Sequence, residues 1–328
     1  MKDSSAPPKG PSSFPWEFSP WIYAFGSALL AALFHLPGLK NGFVGWDDPE
    51  VVVNNPHIHL LDPSFFQWAF TSFRHQNWMP LTWLSYAIDY AVGGNQPGIY
   101  HFTAILFHAI NTALVFYLCL RILQVSRQKA EAAGAVGWGI PPIPVAFLAA
   151  VLFGLHPLQV ESVAWVSERN NLLFVLFYLW ALLSYLDYAS STQPGKGKLY
   201  RCLALFLLAL MSKAIAVTLP LAMLILDAWP LRRLQGRLGR MVWEKTAFFA
   251  ASVLAGVMAI FAQASGKAFE MTEGFPFYFR VLNAFRSLAL YLWKILWPVD
   301  LCPLYPFPHV RDAAYFAGDA AAAGVVLL

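Results

Sequence analysis

Long apolar segments, separated by short polar ones, dominate the 328-residue sequence. A helix that crosses a bilayer needs about 20 predominantly apolar residues, so these segments predict an all-α polytopic membrane protein. The predicted spans are 21–37, 99–121, 141–157, 171–189, 200–212, 214–230, 246–264, 281–298 and an unfinished run at 314–328.

The sidedness of these spans is predicted from their flanking charges. Lysines and arginines cluster in short loops, which the positive-inside rule places in the cytoplasm. Basic clusters flank the segment 199–231, so an even number of crossings must lie between them. This favours two short spans over one overlong helix, and it puts Lys213 at the outer interface.

The same rule places 38–98, 156–170 and 265–280 on the outer face, with half of the 18 acidic residues. The first outer loop is long, and its piece PSFFQWAFTSF (63–73) predicts a short amphipathic helix in the membrane interface. The segment 280–297 has two interpretations. It either spans the membrane or lies flat on it with its basic residues on one face.

Composition supports a membrane protein. Only 12% of residues are charged and 58% are hydrophobic, whereas a soluble domain carries about 25% charged residues. The net charge of +4 reflects the loop clusters and does not indicate a nucleic-acid partner, and the scattered cysteines do not predict a disulfide framework.

Residues 1–20, rich in proline and serine, predict a disordered cytoplasmic tail. Residues 21–328 predict one transmembrane domain, and we expect it to be truncated at its C-terminus.

An acidic pair, Asp47 and Asp48, follows the first span in GWDDPEVVVNNPHI (45–58). A carboxylate at a membrane surface can act as a general base toward an acceptor hydroxyl, so both are candidate catalytic residues. The alternative is that they are solvated loop residues, or that they cap a short helix that begins at Pro49.

A second polar loop, GLHPLQVESVAWVSERNNLL (154–173), contains His156, Glu161 and Arg169. Polar groups near membrane depth are costly and are by default functional candidates, so we assign these three to substrate binding. The alternative is a structural ion pair between Glu161 and Arg169.

Three predicted outer cations, Lys213, Arg280 and Arg286, suit the phosphate of a lipid-linked substrate. Snorkelling to the interface is the structural explanation for any one of them. No strong metal-ligand spacing is present, so a divalent metal is not indicated. The sequence has no glycine-rich phosphate loop or kinase motif, which indicates a donor that arrives through the membrane.

The sequence resembles the transmembrane-and-tetratricopeptide-repeat-containing family of protein O-mannosyltransferases and its bacterial relatives, glycosyltransferases of the GT-C fold. The resemblance rests on the two loops above together with NWMPLTWLSYAIDY, GIYHFTAILFHAIN, MSKAIAVTLPLAMLILDAWPL and YLWKILWPVDLCPLY, in this order. It implies a GT-C-like helix bundle and a polyprenyl-phosphate sugar as donor. It also implies an acidic residue of the first outer loop, here Asp47 or Asp48, at the catalytic site. The family carries helical repeats after its spans, and we expect this chain to stop before them.

We therefore predict a membrane glycosyltransferase that moves a sugar, with mannose as the candidate, to a hydroxyl of a protein or glycan acceptor. The expected location is the bacterial inner membrane, or the endoplasmic reticulum membrane in a eukaryote, with the site on the outer or lumenal face. The alternatives are a non-catalytic membrane scaffold and a transporter or flippase of a lipid-linked substrate. A transporter predicts charges at mid-membrane and pseudo-symmetric halves, and neither pattern is evident in the sequence.

Overall fold

The structure, a computed structural model, describes residues 18–134, 140–191, 193, 195–233, 238–265, 276–305, 317, 318, 321, 322 and 324. Within these residues it is a bundle of α-helices without a β-strand, as the apolar pattern predicts. The helices are α1 (Pro20–His35), α2 (Pro63–Thr71), α3 (Pro80–Gly93), α4 (Pro97–Ala132), α5 (Pro142–Leu155), α6 (Gln159–Ala164), α7 (Arg169–Ala189), α8 (Lys196–Leu210), α9 (Leu219–Ala228), α10 (Leu238–Glu244), α11 (Thr246–Ser265) and α12 (Phe277–Leu296).

Proline determines where many of these helices begin. Residues 20, 63, 80, 97 and 142 are prolines at the first position of their helices. The fixed φ of proline suits that position, where its missing N–H would have no helical partner. The long first loop, residues 41–96, accordingly folds into short pieces. It includes α2 at the predicted interfacial segment, and Asp62 caps α2 by accepting from the Phe65 N–H at 2.9 Å.

Four helical segments are long and apolar enough to cross a membrane: Pro20–Lys40, Pro97–Ala132, Val166–Ala189 and Thr246–Ser265. Shorter apolar helices at Pro142–Leu155 and Ala214–Ala228 pack among them. The segment 199–231 forms two short helical parts with a turn between them, as the charge pattern predicts. Most of the predicted final run, 314–328, lies outside the described residues.

The end of the bundle that carries Asp48, Lys213 and the start of α7 is called the site end here. Chain segments from distant parts of the sequence meet at it. The Gln263 side chain near the end of α11 donates to the Gln76 backbone oxygen of the first loop at 3.1 Å. His156 Nε2 lies 3.0 Å from the Ile295 backbone oxygen, near the end of α12.

Helix α12 is 20 residues long, but it is not apolar enough to be among the four candidate spans. It is amphipathic, its C-terminal end contacts the site end, and α11, which precedes it, also ends there. These observations favour the flat orientation over a further crossing.

The opposite end of the bundle is fixed by a buried polar network. Lys245 Nζ lies 2.6 Å from Asp227 Oδ2, and both side chains are fully buried. Tyr185 and Arg233 donate to the other oxygen of Asp227 at 2.6 and 2.9 Å. The charge of each buried group is therefore paired, as burial in an apolar environment requires.

Candidate functional site

The acidic pair of the first loop is divided by the fold. Asp48 is fully buried. Its Oδ2 accepts from the Val44 N–H at 2.7 Å, and its Oδ1 accepts from both the N–H and the hydroxyl of Ser167, at 2.9 and 2.5 Å. These bonds attach the first loop to the residue two positions before α7. Asp48 therefore has the contacts of an anchoring residue.

The Asp47 side chain lies beside His75 of the first loop and not beside Ser167. Its side chain is 37% exposed, and Oδ2 lies 3.6 Å from His75 Nε2. His75 adopts a left-handed φ of 56°, and its other ring nitrogen lies 3.8 Å from Glu50 Oε2. Arg74 donates to the Glu50 backbone oxygen at 2.9 Å and holds the two parts of the loop together. Asp47 is thus an accessible carboxylate on a fixed backbone.

Glu168 lies beside the Asp48–Ser167 contact, because it directly follows Ser167 in the chain. Lys213 Nζ lies 3.6 Å from Glu168 Oε2 and donates to Asn171 Oδ1 at 2.6 Å. The Asn171 amide in turn donates to Glu168. The turn between α8 and α9 therefore presents a half-exposed cation to the start of α7. Sequence reasoning placed Lys213 at this end, but it did not assign Glu168 or Asn171 to the site. Their spacing of three residues at the start of a helix was the available signal.

Glu161, on the short helix α6, faces the same group of charges. Partial burial, and then repulsion from Glu168, raise the pKa of Glu161, while Lys213 lowers it. Glu161 thus shares the electrostatic environment of the Glu168–Lys213 pair without a direct bond to it.

Arg169 is buried away from these groups, and the alternative that it pairs with Glu161 is wrong. Its Nη1 donates to Asp89 Oδ2 at 2.7 Å and to the Ser85 hydroxyl at 2.8 Å. Its Nη2 donates to the Tyr100 backbone oxygen at 2.7 Å. The guanidinium is fully buried and joins α3, α4 and α7. These contacts are structural, and a substrate-binding role for Arg169 stays a prediction that the geometry does not favour.

The remaining predicted site residues lie around α12. His156 contacts the C-terminal end of this helix. Arg280, in its first turn, is exposed and stacks over Phe277 with 5.8 Å between the guanidinium carbon and the ring centre. Arg286 is half-buried in the middle of the helix. The structure therefore brings Asp48, Glu161 and Lys213 together around the start of α7, with the Asp47 side chain against His75 of the first loop. It places Arg280 and Arg286 on a separate amphipathic element.

A cavity of about 220 Å³ adjoins this region, between the end of α1, the start of α4 and the helix α6 that carries Glu161. His35 and His101 line it. Within the described residues, His35 Nε2 and His101 Nδ1 are buried without a hydrogen-bond partner. Buried polar atoms are nearly always hydrogen-bonded, so these two nitrogens are exceptions. Among the described residues, no group of three or more histidine, cysteine or acidic side chains is arranged so that it could hold a metal ion.

Sequence comparison identifies relatives of this chain. It is 33% identical over 201 residues to Protein O-mannosyl-transferase Tmtc1 of Drosophila melanogaster, a match that covers 59% of the chain and 21% of the fly protein. It is 28% identical over 178 residues to Protein O-mannosyl-transferase TMTC1 of Mus musculus, covering 50% of the chain and 17% of that protein. Human Protein O-mannosyl-transferase TMTC3 is 28% identical over 152 residues, covering 44% of the chain and 14% of that protein. The chain is a relative of the TMTC protein O-mannosyltransferases.

The predicted resemblance is thereby confirmed. The matches to these three TMTC proteins span about a fifth of their length or less. No family model matches the chain, and no solved structure matches it. The three relatives are animal proteins, so they give no support to the predicted bacterial inner membrane.

Proposed function

We propose that this chain is the membrane part of a glycosyltransferase of the GT-C type. It would transfer a sugar, with mannose as the first candidate, from a polyprenyl-phosphate donor to an acceptor hydroxyl at the site end. The names of the TMTC relatives support sugar transfer to protein. The observation that carries the proposal is the division of the acidic pair into one anchored and one accessible carboxylate.

In the proposed reaction, Asp47 takes the proton of the acceptor hydroxyl. The acceptor oxygen forms a bond to the anomeric carbon of the sugar while the bond from that carbon to the phosphate oxygen breaks. The bonding electrons leave with the polyprenyl phosphate, and direct displacement inverts the anomeric configuration. Asp48 holds the backbone beside Asp47 and is a positioning residue.

The departing phosphate gains negative charge, which nearby cations stabilise. Lys213, which pairs with Glu168 beside Ser167, is the candidate at the start of α7. Arg280 and Arg286 on the amphipathic α12 are the candidates from the membrane side. His156, through its contact with α12, would position that helix. The outer or lumenal orientation of the site is part of the proposal and follows from the positive-inside rule.

The test is transfer of labelled mannose from polyprenyl-phosphate mannose to serine- and threonine-containing peptides by the purified protein in liposomes. Asp47→Asn should lower kcat by at least about a hundredfold, within the range of general-base catalysis. Its melting temperature should remain that of the wild type, because the side chain is partly exposed and makes no buried bond. Lys213→Gln should raise the KM for the donor. Glu50→Gln, a more exposed carboxylate three residues away, is the matched control and should leave transfer unchanged.

Asp48→Asn should behave differently. It removes charge from an oxygen pair that accepts three hydrogen bonds, so it should lower stability as well as transfer. Full transfer by Asp47→Asn would remove this carboxylate from the mechanism. Absence of transfer by the wild type from every polyprenyl-linked sugar tried would favour the scaffold or transporter.

A further inference from the structure

A second cavity lies far from the acidic pair, toward the opposite end of the bundle. It has a volume of about 350 Å³ and is enclosed by α4, α7 and α8. One part of its wall is apolar and aromatic, formed by Tyr117, Trp180 and Leu183. Another part is charged, formed by Arg121, Asp187 and Arg201. The cavity therefore combines an apolar wall with a charged rim.

The rim carries more positive than negative charge. Arg121 Nε lies 3.1 Å from Asp187 Oδ1, and Arg201 Nη2 lies 3.9 Å from Asp187 Oδ2. Lys198 donates to the backbone oxygen of Asp187 at 3.2 Å, so its charge is not neutralised by this contact. Two arginines thus pair with one carboxylate, with Lys198 beside them, and the Arg201 side chain is 52% exposed.

The rim also lies at the depth of lipid headgroups. An α-helix rises about 1.5 Å per residue, so Asp187 lies about 27 Å along α7 from Arg169 at the site end. The hydrocarbon core of a bilayer is about 30 Å thick. The charged rim therefore reaches the far interface, while Trp180 and Leu183, up to two turns earlier on α7, lie within the adjoining hydrocarbon.

We propose that this cavity binds a phospholipid with an anionic headgroup. The phosphate would lie between Arg121 and Arg201, since a guanidinium can donate two parallel hydrogen bonds to phosphate oxygens. An acyl chain would pack on Tyr117, Trp180 and Leu183. Basic pockets between transmembrane helices are suited to such headgroups. The site is independent of sugar transfer, because it lies at the end of α7 opposite to Ser167, the residue that anchors Asp48.

The binding test uses the purified protein in detergent with phosphatidylglycerol, phosphatidylcholine or inorganic phosphate as the probe. Native mass spectrometry should show retention of phosphatidylglycerol, with at least tenfold weaker binding in Arg121→Gln/Arg201→Gln. The matched control is Arg127→Gln, one and a half turns later on α4, where the arginine pairs with Glu131 on the exposed surface. Equal binding of the two lipids, or an equal loss in the control, would overturn the proposal. Retention of inorganic phosphate in competition with the lipid would assign the rim to a free anion instead.

A second measurement keeps the proposal testable if the double variant does not fold. Phosphatidylglycerol with brominated acyl chains should quench tryptophan fluorescence in the wild type more than brominated phosphatidylcholine does. The difference should disappear in Trp180→Phe and persist in Trp243→Phe, a strongly exposed tryptophan on α10. No difference between the two lipids in the wild type would refute an acyl chain against Trp180.

Discussion

The buried pair of Arg169 and Asp89 gives the sharpest test of how the site end is held together. Arg169 Nη1 and Asp89 Oδ2 are 2.7 Å apart, with side chains that are 0% and 5% exposed. The other oxygen of Asp89 accepts from the Thr103 hydroxyl at 2.8 Å. The pair therefore joins α3, α4 and α7 in a region closed to solvent.

Asp89→Asn retains the size of the side chain but removes the charge opposite the guanidinium. Loss of one partner of a buried ion pair costs about 3–5 kcal/mol, because the other charge stays buried without compensation. An exposed pair contributes less than about 1 kcal/mol. Glu131→Gln is the matched control, because Arg127 and Glu131 form a pair at 2.7 Å with both side chains about half exposed.

The assay is denaturant-induced unfolding in mixed micelles, followed by tryptophan fluorescence, for the wild type and both variants. Asp89→Asn should lose at least about 2 kcal/mol more than Glu131→Gln. The double variant Arg169→Gln/Asp89→Asn should lose less than the sum of its two single variants, since the unpaired charge is gone. Equal stability of Asp89→Asn and Glu131→Gln would refute the argument that this pair joins the three helices.

Two further predictions concern packing and ionisation near the site. Gly154→Ala should destabilise the protein by about 1–3 kcal/mol in the same assay, because a Cβ there would lie 2.9 Å from Thr112 Cγ2 and 3.0 Å from Ala31 Cβ. Gly256→Ala, with open space around its Cβ position, is the control, and equal losses would contradict the close approach of the helices. Folding raises the pKa of Glu161, so its ionisation lowers the stability of the folded state as pH rises from the ordinary value of 4.5 through the raised one. Glu161→Gln should therefore melt at a higher temperature than the wild type at neutral pH but not below about pH 4. A difference that is independent of pH would exclude ionisation as its cause.

Local sequence patterns were sufficient to locate the long apolar helices. Apolar runs and the prolines at helix starts are local properties, so the bounds of α1, α7 and α11 follow closely from the pattern, whereas α4 extends eleven residues beyond the predicted 99–121. The basic clusters around 199–231 were also sufficient to predict two short helices with Lys213 in the turn. The positive-inside rule applies to each loop separately, so this prediction did not require knowing which helices pack together.

The contacts of the charged residues depend on the tertiary structure. Asp47 and Asp48 are chemically identical neighbours, and their contacts differ because Ser167, more than a hundred positions away, bonds only to the second. Arg169 and Glu161 lie in the same loop sequence, which suggested an ion pair between them. Arg169 instead bonds to Asp89 on the neighbouring helix α3. A side chain takes the partner that lies nearest in space, and that proximity is set by how the apolar faces of distant helices pack.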